Sequence, residues 1–294
     1  VIELGKILIM TDSGADLAAG VAEKYSIRVI PFKYSFDGET YFEDGVDKST
    51  EEFYDVERTS KEIPKTVQIS PVQFEEIYNE IYSEGYEGVI YVSLSGSGSG
   101  TYQNACMMAR SFEDEHKDFR IEVIDSRAYT IIYGAAAVEG AKALESGKSF
   151  DEAADRIREI LDNSEVRFIV GDLAHLKKGG RINAATLVVA NMLDIKPILT
   201  LKDGLVVQDG KIRGSKNLYK KFVSDAAEKM GGFDTGSVFL VHTCMPEKAA
   251  ELKEEVLRQF PNVDIVENLV GSTIGCHAGP DLVGLAHFKE KITL

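Results

Sequence analysis

Cysteine is scarce in this chain of 294 residues, and the three present, Cys106, Cys244 and Cys276, are odd in number, widely spaced and never in a CxxC pair. That argues against a disulfide framework and against a zinc site, and it fits a reducing compartment. Long apolar runs are also missing. Stretches such as Ile7–Met10 and Val238–Val241 fall far short of the ~20 residues that span a bilayer. No basic segment followed by an apolar one opens the sequence, so the expected location is the cytoplasm. Basic residues are outnumbered, 33 Lys and Arg against 48 Asp and Glu, which leaves a net charge of −15. Such a surface repels nucleic acid and anionic lipid headgroups, so neither is an expected partner. An anionic ligand would need local donors to hold it against that field. No internal repeat and no low-complexity linker is visible.

What is present is an ordinary globular composition, 44% hydrophobic and 28% charged, long enough for one large domain or two medium ones. Ile7–Met10 reads as a buried strand, followed by the loop TDSGADL and a helix over about Leu17 to Tyr25. Ser49 with Glu52 has capping-box spacing, as does Ser149 with Glu152. Ser70 before Pro71 predicts a helix start, with Phe74, Ile77, Tyr78 and Ile81 on one face and Gly85 at the exit. A strand over Val89–Val92 leads through a serine- and glycine-rich loop to a helix carrying Ala105, Met108, Ala109 and Phe112. RIEVID is a further strand and Thr130–Glu145 a small-residue helix. Strands alternating with one-faced helices imply crossover units and a mainly parallel sheet. Beyond Val166–Leu173 the pattern loosens. KPILTLKDGLVVQDGKIRG, with two DG signals, suggests hairpin-like strands. A strand over VDIVENL then runs into a second glycine-rich loop, VGSTIGCHAGPDLVG. The expected fold is two α/β domains, residues 1–164 with a parallel sheet flanked by helices and 165–294 with a mixed one, the boundary lying near Asn163–Val166.

The loop SLSGSGSGT at residues 93–101 is the first candidate for chemistry. It is not a P-loop or a dinucleotide fingerprint, because Thr101 stands where either pattern needs glycine and no lysine follows. What remains is a strand, a hydroxyl-rich turn and a helix N-terminus, an arrangement that attracts anions through unpaired N–H groups and the helix dipole. The same pattern also serves a plain βα turn, with glycine for geometry and serine for capping. A serine hydrolase acting on an acyl ester is the alternative, with Ser97 or Ser99 as nucleophile and His277 as base, although the context of a nucleophile elbow is missing. Among the five histidines, His116 lies in a charged run and His287 near the C-terminus. His242 ends an apolar strand, and His277 sits in a glycine-rich loop. LKKGGRI (Leu176–Ile182) is a compact basic patch, either a helix C-terminus stopped by glycine or a docking point for an acidic partner or a phosphate.

Taken in order, TDSGADL, TVQISPVQFEE, SLSGSGSGTYQNA, VIDS, LKKGGRI and GSTIGCHAGPDLVG resemble the DegV family of bacterial lipid-binding proteins, from about Lys6 to Phe288. The resemblance implies two α/β domains with the ligand site at their junction. It also implies a non-enzymatic role, presenting a long-chain fatty acid such as palmitate or oleate to a separate fatty acid kinase, which makes the acyl phosphate. By it, Thr66, Ser95, Gly96, Ser97, His277 and Ala278 hold the carboxylate and the tail runs into an apolar tunnel. Arg181, with Lys177, Lys178 and Ser99, is a further head-group or partner contact. No metal and no cofactor besides the fatty acid is implied. A lipid sensor signalling through the LKKGGR surface is a third reading. The chain departs from the family pattern at Gly14, Val67, Ile69, Gly96, Gly98 and Ile132.

Overall fold

A computed structural model describes residues 5–183 and 195–294. The chain divides into two compact units, one of residues 1–33, 66–162 and 294, the other of residues 34–65 and 163–293. A single cut after residue 164 places residues 34–65 with the N-terminal half, whereas they cluster with the C-terminal half.

In the first unit β1 (Ile7–Asp12), β2 (Arg28–Ile30), β6 (Gly88–Ser93) and β7 (Arg120–Asp125) form a sheet in the order β2-β1-β6-β7. All its pairings are parallel, with Ile7 opposite Gly88 and Gly88 opposite Arg120. The central strand β6 is buried along its whole length, as a strand covered on both faces must be. Helices α1 (Val21–Lys24), α3 (Pro71–Ser83), α4 (Thr101–Glu115), α5 (Ile131–Glu145) and α6 (Phe150–Asp162) complete it. The N-terminus of α3 closes as its sequence predicts. Ser70 Oγ accepts from the Gln73 N–H, and the Gln73 side chain accepts from the Ser70 N–H. Ser149 and Glu152 make the same reciprocal pair before α6. The helix expected over Leu17–Tyr25 is shorter than its pattern. It begins only after Gly20, whose φ of 82° lies in the left-handed region, and a single turn remains.

The second unit holds a six-stranded mixed sheet made of β8 (Ser164–Ile169), β9 (Ile195–Lys202), β10 (Leu205–Arg213), β11 (Ser237–His242), β12 (Asp264–Leu269) and β13 (Val283–Phe288). Its order is β10-β9-β8-β13-β11-β12. β13 lies antiparallel between β8 and β11 and is buried throughout, so the last apolar run of the chain is a central strand. The two DG pairs do different work. Asp203 (φ 52°) and Gly204 (φ 77°) turn the β9–β10 hairpin, whereas Asp209–Gly210 is a bulge where the register shifts. Helices α2 (Thr50–Thr59), α7 (Ala174–Gly179), α8 (Leu218–Lys229), α9 (Pro246–Gln259) and α10 (Ser272–Ala278) accompany the sheet. The short strands β3 (Lys33–Ser35), β4 (Phe42–Glu43) and β5 (Lys65–Val67) pair in the order β4-β3-β5. β3 and β5 lie at two of the points where the chain passes between the units.

Named bonds explain why residues 34–65 join the second unit. Asp44 caps α10, accepting from the Thr273 N–H at 3.2 Å and its hydroxyl at 2.6 Å. Tyr54 donates to the Val270 carbonyl at 2.9 Å, and Arg58 donates to the carbonyls of Thr243 and Cys244. Tyr34, Phe53, Tyr54 and Cys276 form a small buried cluster of their own.

Candidate functional site

The carboxyl ends of parallel strands are where α/β sheets place their ligands. In the first unit β1 ends at Asp12, β6 at Ser93 and β7 at Asp125, so the loops that follow gather at one edge of the sheet. Asp12 is fully buried. It accepts from the Tyr133 hydroxyl at 2.6 Å, the Tyr91 hydroxyl at 2.7 Å and the Leu94 N–H at 3.0 Å. Burial outweighs these bonds and pushes its carboxyl up to about 6. Through Leu94, Asp12 ties the TDSGADL loop to the start of the serine turn.

That turn is internally bonded rather than an open cradle. The Gly96 N–H donates to Asp125 at 2.9 Å, and the Gly98 and Ser99 N–H groups donate to the Ser95 carbonyl. The anion-binding reading rested on unpaired N–H groups here; these three are engaged. Of the turn's other serines, Ser95 is buried and Ser97 exposed. Ser99 is directed into its own helix start. Its hydroxyl donates to Thr101 Oγ1 at 3.0 Å and accepts the Thr101 N–H at 3.3 Å, which engages it locally and weakens its case as a nucleophile. A Cβ on Gly98 would run into the Tyr129 hydroxyl, so this loop has no room for a side chain at that position while Tyr129 stays in place. Thr66 lies half-buried on β5. The segment after it is pinned to the start of α4, since the Ile69 N–H donates to Thr101 Oγ1 at 3.2 Å and Asn104 donates to the Ile69 carbonyl at 2.8 Å. Thr66's segment and the serine turn are thus neighbours through Thr101.

In the second unit the glycine-rich loop around His277 is largely the helix α10, and LKKGG forms most of α7, stopped by Gly180 in the left-handed region at φ 69°. The helix-terminus reading of that patch therefore describes its backbone. His277 lies against Gly179, where a Cβ would stand 2.6 Å from the ring Nδ1. Arg181 donates to the Gly179 carbonyl. Burial, aided by the charges of Arg181 and His175, brings His277 down to about 4, so at neutral pH it is a neutral imidazole with one donor and one acceptor. Ala278 is buried beside it. Lys177 and Lys178 point outward, Lys178 reaching Glu62 at 3.9 Å. The other histidines have structural work. His242 accepts the Met245 N–H and faces Glu267, His287 lies between the carbonyls of Met230 and Thr235, and His116 stacks on Phe112.

Two residues here escaped the sequence reading. Glu57 is buried on α2, and one of its carboxylate oxygens lies 3.2 Å from Nε2 of His175. A signal existed. Glu57 follows Phe53 and Tyr54 at i+4 and i+3, so it is a charged residue on the apolar face of its helix.

Residues 6–290 match the model of the family described as uncharacterised protein, DegV family. The chain belongs to the DegV family. A DegV domain-containing protein of Caldanaerobacter subterraneus is 34% identical over 97% of this chain and 99% of its own length. Among solved structures, the fatty-acid-binding DegV family protein from Thermus thermophilus is 28% identical, with a TM-score of 0.85 over 97% of this chain and 99% of that one. The stearic acid-binding protein from Eubacterium ventriosum, at 27% identity, also gives 0.85 over 96% and 98%. The α/β architecture, with one parallel and one mixed sheet, is that of these DegV neighbours. Among the described residues no helix is long and apolar enough to cross a membrane, and no cluster of side chains suits a metal ion.

Proposed function

We propose that this chain binds a long-chain fatty acid and presents it, without chemistry of its own, to a separate fatty acid kinase that makes the acyl phosphate. The observation that carries the reading is its likeness, over almost its whole length, to the fatty-acid-binding DegV protein of Thermus thermophilus. The head-group candidates are Thr66 and the Ser95–Ser97 turn of the first unit, and His277 with Ala278 of the second. Hydroxyls and a neutral imidazole suit a carboxylate, since hydrogen bonds to a charged group contribute roughly 1.5–3 kcal/mol each. The acyl tail contributes more. At about 0.8 kcal/mol per buried CH₂, ~14 methylenes give on the order of 11 kcal/mol before ordering costs. The tail would then set the affinity and the head-group donors the orientation. A cytoplasmic carrier accords with three free cysteines and needs neither nucleophile nor nucleotide loop. Arg181, Lys177 and Lys178 are the candidates for meeting the kinase.

The test is palmitate titration together with kinase-dependent turnover for the wild type, Thr66→Val and His277→Gln. Weaker binding or slower acyl phosphate formation in each variant supports the assignment. Normal behaviour of both variants removes these residues from the site. Covalent labelling of Ser97 by a fluorophosphonate probe would favour the hydrolase alternative.

A further inference from the structure

The two basic and glycine-rich motifs of the second unit interlock through a reciprocal pair of contacts. His277, on α10, packs against Gly179 at the end of α7; His175, on α7, packs against Gly279 just after α10. A Cβ on Gly279 would stand 2.8 Å from Nδ1 of His175, and one on Gly179 would stand 2.6 Å from Nδ1 of His277. Each ring therefore approaches main chain that only glycine permits, and neither motif can move without displacing the other's histidine.

Behind this clasp lies a carboxylate. The Glu57 side chain is 1% exposed and faces Nε2 of His175 at 3.2 Å. Burial pushes its carboxyl up, while His175 and Arg58 pull it down and Asp281 adds to the rise. At ion-pair distance, the Glu57 carboxylate favours a proton on Nε2 of His175. The edge of His175 that remains is the one set against Gly279, two residues from His277.

We infer that Glu57 and His175 are positioning residues for His277: the buried carboxylate locks His175, and His175 locks the turn at Gly279 that fixes His277 as a head-group donor. This rests on the fatty-acid reading for its functional consequence, but not for the geometry. The charged groups around the pair are Arg58 on α2, Asp281 before β13 and Arg181 after α7, and the titratable neighbour is His277 itself.

Nitrogen-15 NMR of the imidazoles, with palmitate titration, in wild type, Glu57→Gln and His175→Phe tests this. Wild-type His175 should carry a proton at Nε2, and that resonance should move in Glu57→Gln. Both variants should shift the His277 ring resonances and weaken palmitate binding at least about twofold, the lower end of coupling between residues in contact. The volume-keeping double variant Glu57→Leu/His175→Phe guards against loss of fold in the single ones, and should also shift His277. Phe222→Leu, in the buried core around α8, controls for general destabilisation and should leave the His277 signals in place. Unchanged His277 resonances in every folded pair variant overturn the inference. Shifted resonances with unchanged palmitate affinity also overturn it, as a claim about the head group. A wild type that binds no palmitate defeats the fatty-acid reading, while the NMR signals still decide whether the pair positions His277.

Discussion

The lowered basicity of His277 can be measured, and it has a cost in acid. In the folded chain its imidazole is held down to about 4 from 6.5, first by burial and then by Arg181 and His175. The unfolded chain therefore takes up a proton at a pH where the folded chain does not, and stability falls as the pH drops from about 6.5 toward about 4. At about 1.4 kcal/mol per pH unit this gap has a ceiling of roughly 3 kcal/mol. Between about pH 7 and about pH 4.5, roughly 2 kcal/mol of it is realised, less whatever solvent screens around a half-buried ring. Asp12 runs the other way. Its raised carboxyl stabilises the fold at low pH, and that contribution is lost as pH rises through about 6. The wild-type curve mixes both groups, so the comparison with His277→Gln isolates one. Proton NMR should place the His277 midpoint near 4, and urea unfolding should show the variant losing less stability in acid than the wild type by roughly 2 kcal/mol. A midpoint near 6.5, or equal acid losses in both proteins, refutes the reasoning.

Gly98→Leu drives a side chain into the Tyr129 hydroxyl and should destabilise the fold by about 1–3 kcal/mol in urea unfolding, a loss that Tyr129→Ala largely reverses. Tyr133→Phe removes a 2.6 Å bond to a buried carboxylate and should cost about 1–3 kcal/mol; a Tm matching the wild type contradicts this. Asp44→Ala leaves the Thr273 N–H and hydroxyl without their acceptor at the start of α10. It should cost about 1–2 kcal/mol and raise amide exchange across Ser272–Ala278, whereas unchanged exchange there means the cap is dispensable.

Local chemistry was the legible part of this sequence. The capping residues Ser49, Ser70 and Ser149 each bond as their spacing implies, and the period of the apolar residues separates strands from helices through the first unit. Long-range pairing was not legible. Nothing in the run Tyr34–Lys65 tells that Tyr54 bonds Val270 or that Asp44 caps α10, because such bonds leave no periodic trace. α10 hid behind Gly275, which reads as a loop residue. It is glycine because a Cβ there would stand 2.5 Å from the Tyr54 hydroxyl. β13 hid because VGLAHF follows a glycine-rich stretch and lacks alternation, as strands buried on both faces do. The serine turn was legible as a turn with hydroxyls, but its N–H groups bond within the loop and to Asp125, and no motif carries that information.

Organic extraction of the purified protein, followed by mass spectrometry of the extract, is the most direct measurement of the central claim. A fatty acid released at close to one equivalent per chain is the predicted result. Protein that releases none, and that also fails to bind added palmitate or oleate, would contradict it.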